Sequence, residues 1–145
     1  MINILLVTHL VAASIWVGGH LILSLTILPK VLATDDVAGL LAFEQRYEKI
    51  GMPALLLQVI TGIWMAYRLL PSVSAWFAAD NDISQLICLK LAILTATIII
   101  ALHARFRVIP TLSAKTLPLF AAHIILVTLL SIAFVIVGSL FRTGF

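Results

Sequence analysis

Four residues of this chain have the chemistry to hold a metal ion or a haem: His9, His20, His103 and His123. Hydropathy places each of them inside or at the edge of an apolar segment, with no Asp or Glu beside them there. An ionisable side chain is costly in hydrocarbon, so a histidine kept at that depth is a functional candidate by default. Imidazole is also a common ligand of haem iron, copper and zinc. The competing explanation is that each ring simply hydrogen-bonds a neighbouring helix.

The surrounding composition says what kind of protein positions them. Of 145 residues, 63% are hydrophobic and 10% charged, and the mean hydropathy is +1.21. A soluble domain of this length could not hide so much apolar surface, so the reading is a single integral membrane domain over residues 1–145. The N-terminal apolar run lacks a basic flank and a small-residue cleavage site, so it reads as a retained membrane helix. Cys88 stands alone, which excludes an internal disulfide or a thiolate cluster. The net charge of +3 bears on topology and not on nucleic acid, which is excluded as a partner.

A bilayer core takes about 20 apolar residues as helix, and four stretches qualify. They run from Ile2 to Leu28, Pro53 to Leu70, Ile83 to Val108 and Leu117 to Phe141. The expected stops are Pro29, Pro71, Pro110 and Arg142. Between the first two spans, Asp35 to Gly51 carries Val37, Leu40, Leu41, Phe43, Tyr47 and Ile50 among charges. That pattern predicts an amphipathic helix lying at the interface, ended by a break at Gly51-Met52-Pro53. The fold expected is therefore an all-α bundle of four transmembrane helices with an interfacial helix between the first two. Lys30, Arg46, Lys49, Arg105, Arg107 and Lys115 crowd one side, against Arg68 and Arg142 on the other. The positive-inside rule then puts both termini on the periplasmic side of a bacterial inner membrane.

Depth sorts the histidines. His9 and His20 are eleven residues apart, about three helical turns, so they share a face about 16 Å apart with Trp16 between them. His20, His103 and His123 fall at one level in the inner half. His9 falls in the outer half, where Lys90 of the third span reaches a similar depth. Two histidines from different helices can grip a haem b axially, with Arg105 and Arg107 as partners for its propionates. His20 with His123 is the preferred pair. His103 is the alternative to either, or a propionate partner, and His9 is the candidate ligand of a second, outer haem near Lys90. The same histidines suit copper, with Met52 as a soft thioether donor, although no Met-x-x-Met or Cys-x-x-Cys repeat is present. Gly18-Gly19 reads as a site of close helix approach.

The order of several segments resembles a known family. His9 is followed by Trp16-Val17-Gly18-Gly19-His20 and Pro29. Phe43-Glu44-Gln45-Arg46-Tyr47-Glu48-Lys49-Ile50-Gly51-Met52-Pro53 precedes Thr61-Gly62-Ile63-Trp64. Leu89-Lys90-Leu91-Ala92, Arg105-Phe106-Arg107-Val108-Ile109-Pro110, Ala122-His123-Ile124 and Phe141-Arg142-Thr143-Gly144 follow. Together they resemble the CopD family of small bacterial membrane proteins, which implies copper resistance or copper transport. A more distant similarity, carried by His9 and Lys90, is to the HemJ protoporphyrinogen oxidases, and it implies haem b near His9. The expectation from sequence is a haem b membrane protein moving electrons, with one or two haems. Copper handling by the same histidines is the alternative, and porphyrinogen oxidation is a third reading. Membrane lipid is the expected surrounding, a quinone or small oxidant the redox partner, and a homo-oligomer is compatible with the pattern.

Overall fold

The computed structural model describes residues 4–143, so Ile2, the expected start of the first span, and Gly144 lie outside it. Its helices are α1 (Ile4–Ile22), α2 (Leu28–Thr34), α3 (Val37–Leu69), α4 (Asp82–His103) and α5 (Leu117–Thr143). No strand occurs among the described residues. Four helical stretches are long and apolar enough to cross a membrane: Ile4–Thr34, Val37–Leu69, Asp82–Thr111 and Leu117–Arg142. Large apolar side chains face outward along them, including Leu25 (73% exposed) and Ile99 (62%). In water such a surface would aggregate, whereas lipid chains satisfy it.

Of the prolines expected to end spans, Pro29 does not end the first, whereas the third ends at Thr111, one residue past Pro110. A proline inside a helix lacks its own N–H and crowds the carbonyl four residues back. The first span meets this with a π-helical turn over Leu23–Ile27, and α2 continues past Pro29. The third span does the same over Ala104–Val108, followed by a 3-10 turn over Ile109–Thr111 that carries Pro110. In both, the residue before proline donates to the carbonyl five residues back, Leu28 to Leu23 and Ile109 to Ala104. The wider turn relieves the crowding without breaking the helix.

The expected interfacial helix also differs. Residues from Val37 onward are helical, but they run without a break into the second span, and Pro53 lies inside the 33-residue α3. Asp36 caps its start by accepting from the Gly39 N–H at 2.9 Å, and Asp35 makes the turn before it at φ 52°. Pro71 does stop the second span, because the preceding residue, Leu70, is extended. Asn81 and Ser84 form a reciprocal capping box that starts α4.

Helix α1 packs along α3 on one side and α5 on the other, and α5 packs along α4. At the end that holds the α2–α3 and α4–α5 turns, all four spans meet in one core around Leu28, Leu40, Val108 and Leu117. Toward the opposite end a second core, with Leu86, Ile93 and Val137, joins α4 and α5. Buried hydroxyls turn back onto their own helices, as Thr97 does to Ile93 and Ser131 to Val127, so they cost little in the apolar interior. This frame places two histidines on α1 and one at each facing edge of α4 and α5.

Candidate functional site

His103 is the last residue of α4, immediately before the π-helical turn. His123 faces it from α5. The Nδ1 of His103 lies 2.8 Å from the Nε2 of His123, and the rings stack with centroids 5.0 Å apart and planes 16° apart. His123 Nδ1 is 2.7 Å from the carbonyl of Leu119, one turn back. A carbonyl only accepts, so this contact assigns the proton to Nδ1 and leaves Nε2 with its lone pair. His103 Nδ1–H then donates to that lone pair, and His103 Nε2 has no hydrogen-bond partner among the described residues. His103 is exposed and His123 half-buried, so the pair opens to the outside of the bundle.

His20 has the same local clamp in a different setting. Its Nδ1 is 2.9 Å from the Trp16 carbonyl, again one turn back. The Tyr47 hydroxyl of α3 donates to that carbonyl at 2.9 Å. The Trp16 ring lies tilted at 46° with its centroid 4.4 Å away, and Tyr47 meets the ring edge-on at 5.5 Å. His20 is only 9% exposed. The Tyr47 ring fits because Gly19 has no side chain: a Cβ there would collide with Tyr47, and one at Gly51 would come within 3.0 Å of the same ring. Gly18, by contrast, meets nothing. Among the described residues His20 makes no hydrogen bond or ring contact with His103 or His123. Its carbonyl accepts from Thr128 of α5 at 3.3 Å. The preferred pairing from sequence joined His20 to His123; the contacts instead join His103 to His123 and His20 to Tyr47.

His9 lies near the other end of α1. Its Nδ1 is 2.8 Å from Thr61 Oγ1 of α3, and Thr61 donates its own proton to Leu57 at 2.6 Å. His9 is therefore an interhelical donor, seated over Gly62, where a Cβ would stand 3.2 Å from its Cε1.

The chain matches the family described as copper resistance protein D over residues 41–141. It belongs to that family. No curated protein and no solved structure matches it. The copper resistance protein D match spans the whole of the His103–His123 pair, together with Met52 and Lys90, while His9 and His20 precede it.

Within this chain the remaining candidates scatter. Lys90 Nζ stands 5.6 Å from the centre of the Phe141 ring, where Gly138 leaves it room. Arg105 forms an ion pair with Glu48 of α3 at 3.1 Å, and Arg107 is exposed. Met52 is 52% exposed. Trp16 is buried, and its indole N–H has no partner among the described residues. No group of three or more His, Cys, Asp or Glu able to hold a metal occurs among the described residues. Sequence reasoning did not single out Tyr47 as a site residue. Its signal was available: an aromatic residue in the helix that follows a Gly-Gly-His sequence, with Gly51 one turn beyond it.

Proposed function

We propose that this protein binds copper as cargo at the His103–His123 pair and serves copper resistance or copper movement at the membrane. What supports the reading is the state of the pair together with the family. The two imidazoles touch, and the second has its Nδ1 held by the Leu119 carbonyl. Such a bond to the non-ligating nitrogen orients a metal-binding imidazole and raises its basicity. Imidazole suits copper, and two neutral ligands place a monovalent ion in an apolar setting without adding charge. The proposed location is a bacterial inner membrane with both termini periplasmic, which a topology reporter fused after residue 145 tests by periplasmic activity.

One observation favours haem b as a second reading. His20 and His123 both have Nδ1 held by the carbonyl one turn back, which leaves two Nε2 atoms for axial ligation. That reading requires His103 to release His123. Electron transfer to a quinone or small oxidant would go with it. Anaerobic titration of the detergent-solubilised protein with Cu(I) against a chromogenic chelator separates the two. We expect copper binding that is lost in His103→Ala and His123→Ala, from a preparation without a Soret band. A red protein whose Soret band disappears in His20→Ala and His123→Ala would replace copper with haem.

A further inference from the structure

Cations from two spans converge on one groove toward the end of the bundle that holds the α2–α3 and α4–α5 turns. Arg46 and Lys49 of α3 and Arg105 of the third span line it, with the amide of Gln45 and one carboxylate, Glu48. Glu48 meets Arg105 Nη1 at 3.1 Å, which leaves Nε and Nη2 of that guanidinium without a hydrogen-bond partner among the described residues. Arg46 and Lys49 are exposed and form no ion pair among the described residues. Glu44, one turn before Glu48, is within electrostatic reach of Arg105 but does not line the groove. Even with Glu44 counted, three cations face two carboxyl groups. The groove is also a seam: α3 packs chiefly along α1, and the third span along α5. Its flanks are apolar and outward-facing. Ile50, next to Lys49, is 60% exposed, and Phe106, next to Arg105, is 69% exposed.

We propose that this groove binds the phosphate of an anionic phospholipid of the cytoplasmic leaflet. A guanidinium fork matches phosphate oxygens in pairs, and a lysine adds a point charge. One phosphate has acceptors enough to bridge Arg46 and Lys49 on α3 to the free edge of Arg105 on the third span. Basic pockets between spans on the cytoplasmic side take anionic head groups, and the crowding of Lys and Arg assigns this end to the cytoplasm. The phosphate chemistry alone would also admit inorganic phosphate. The exposed Ile50 and Phe106 select the lipid, because its chains cover them while its head group fills the groove. The same excess of positive charge repels a metal cation, so this site does not depend on the copper reading.

The test is native mass spectrometry of the full chain in detergent, at about 0.15 M ionic strength, where charges beyond about 8 Å are screened. The probes are dioleoylphosphatidylglycerol, dioleoylphosphatidylcholine with the same chains, and inorganic phosphate. One phosphatidylglycerol per chain is expected to bind, more tightly than phosphatidylcholine. Arg46→Gln weakens it about fivefold, the contribution of one cation near the membrane surface. Lys49→Gln, at a second exposed position without an ion pair, repeats the loss. Glu48→Gln, which releases Arg105, strengthens binding. Arg107→Gln removes the same charge from an exposed residue outside the groove and leaves affinity within about twofold of wild type. Equal losses in Arg46→Gln and Arg107→Gln, or equal affinity for the two lipids, mean a diffuse attraction to the basic end and overturn the site. Inorganic phosphate bound as tightly as phosphatidylglycerol overturns the lipid as its ligand.

Discussion

His20 and His123 carry the same backbone clamp, yet one is walled in and the other opens outward. Each ring has Nδ1 held by the carbonyl one turn back. Around His20 the bundle adds Trp16, Tyr47 and the backbone of Gly19, and the ring is 9% exposed. Around His123 the ring and hydrogen-bond partner from another helix is His103, at the edge of α4. The local clamp is the same in both; under the copper proposal it is the surrounding helices that set the enclosed ring apart from the open one. The α1–α3 side uses its histidines as donors and packing surfaces, with His9 on Thr61 as a second example. The α4–α5 side presents its two histidines together.

Changes on the α1–α3 side should therefore cost stability without touching copper. Gly19→Ala has the largest expected effect, because its Cβ collides with a Tyr47 ring already held by Gly51. Overpacking of this kind costs about 1–3 kcal/mol. Gly18→Ala, which meets nothing, should be neutral or raise stability by up to about 1 kcal/mol, since Ala is the better helix former. Melting curves in detergent that respond equally to the two changes would contradict the assigned contacts.

Tyr47→Phe comes next. It removes the hydroxyl that donates to the Trp16 carbonyl and should cost about 1 kcal/mol while copper affinity stays at the wild-type value. A drop in affinity would place His20 in the metal site after all. Thr61→Val, which takes the acceptor from His9, should cost about 0.6 kcal/mol, the average for hydrogen bonds between membrane helices. Equilibrium unfolding in mixed micelles resolves a change of that size. Glu48→Gln should have the smallest effect. It breaks a half-exposed ion pair with Arg105, for which about 0.5 kcal/mol or less is expected. A larger loss would mean that this pair, and not apolar packing, ties α3 to the third span.

The four spans were legible because lipid forces a long apolar helix at each crossing, and length alone counts them. The ends were not. Pro29 reads as a stop because a proline interrupts the regular helical ladder, and the π-helical turn that accommodates it leaves no mark in hydropathy. Gly51 and Pro53 read as a break for the same reason, yet α3 runs through them. For the histidines, sequence gave depth but not direction. Depth puts His20, His103 and His123 at one level, while the packing of α1 between α3 and α5 decides which rings meet. Helical periodicity fixes faces within one helix and says nothing about which faces are opposed across the bundle. Gly18-Gly19 was legible as a close approach, but only contact with Tyr47 shows that Gly19 makes it.

The central claim is that the outward pair, and not the enclosed histidines, receives the metal. X-ray absorption at the copper edge of the Cu(I)-loaded full chain tests it most directly, with each histidine changed to alanine in turn. A shell of imidazole nitrogen should appear in the wild type, persist in His9→Ala and His20→Ala, and vanish in His103→Ala and His123→Ala. A thioether sulfur shell, or a nitrogen shell that survives loss of His123 and disappears with His20, would contradict it.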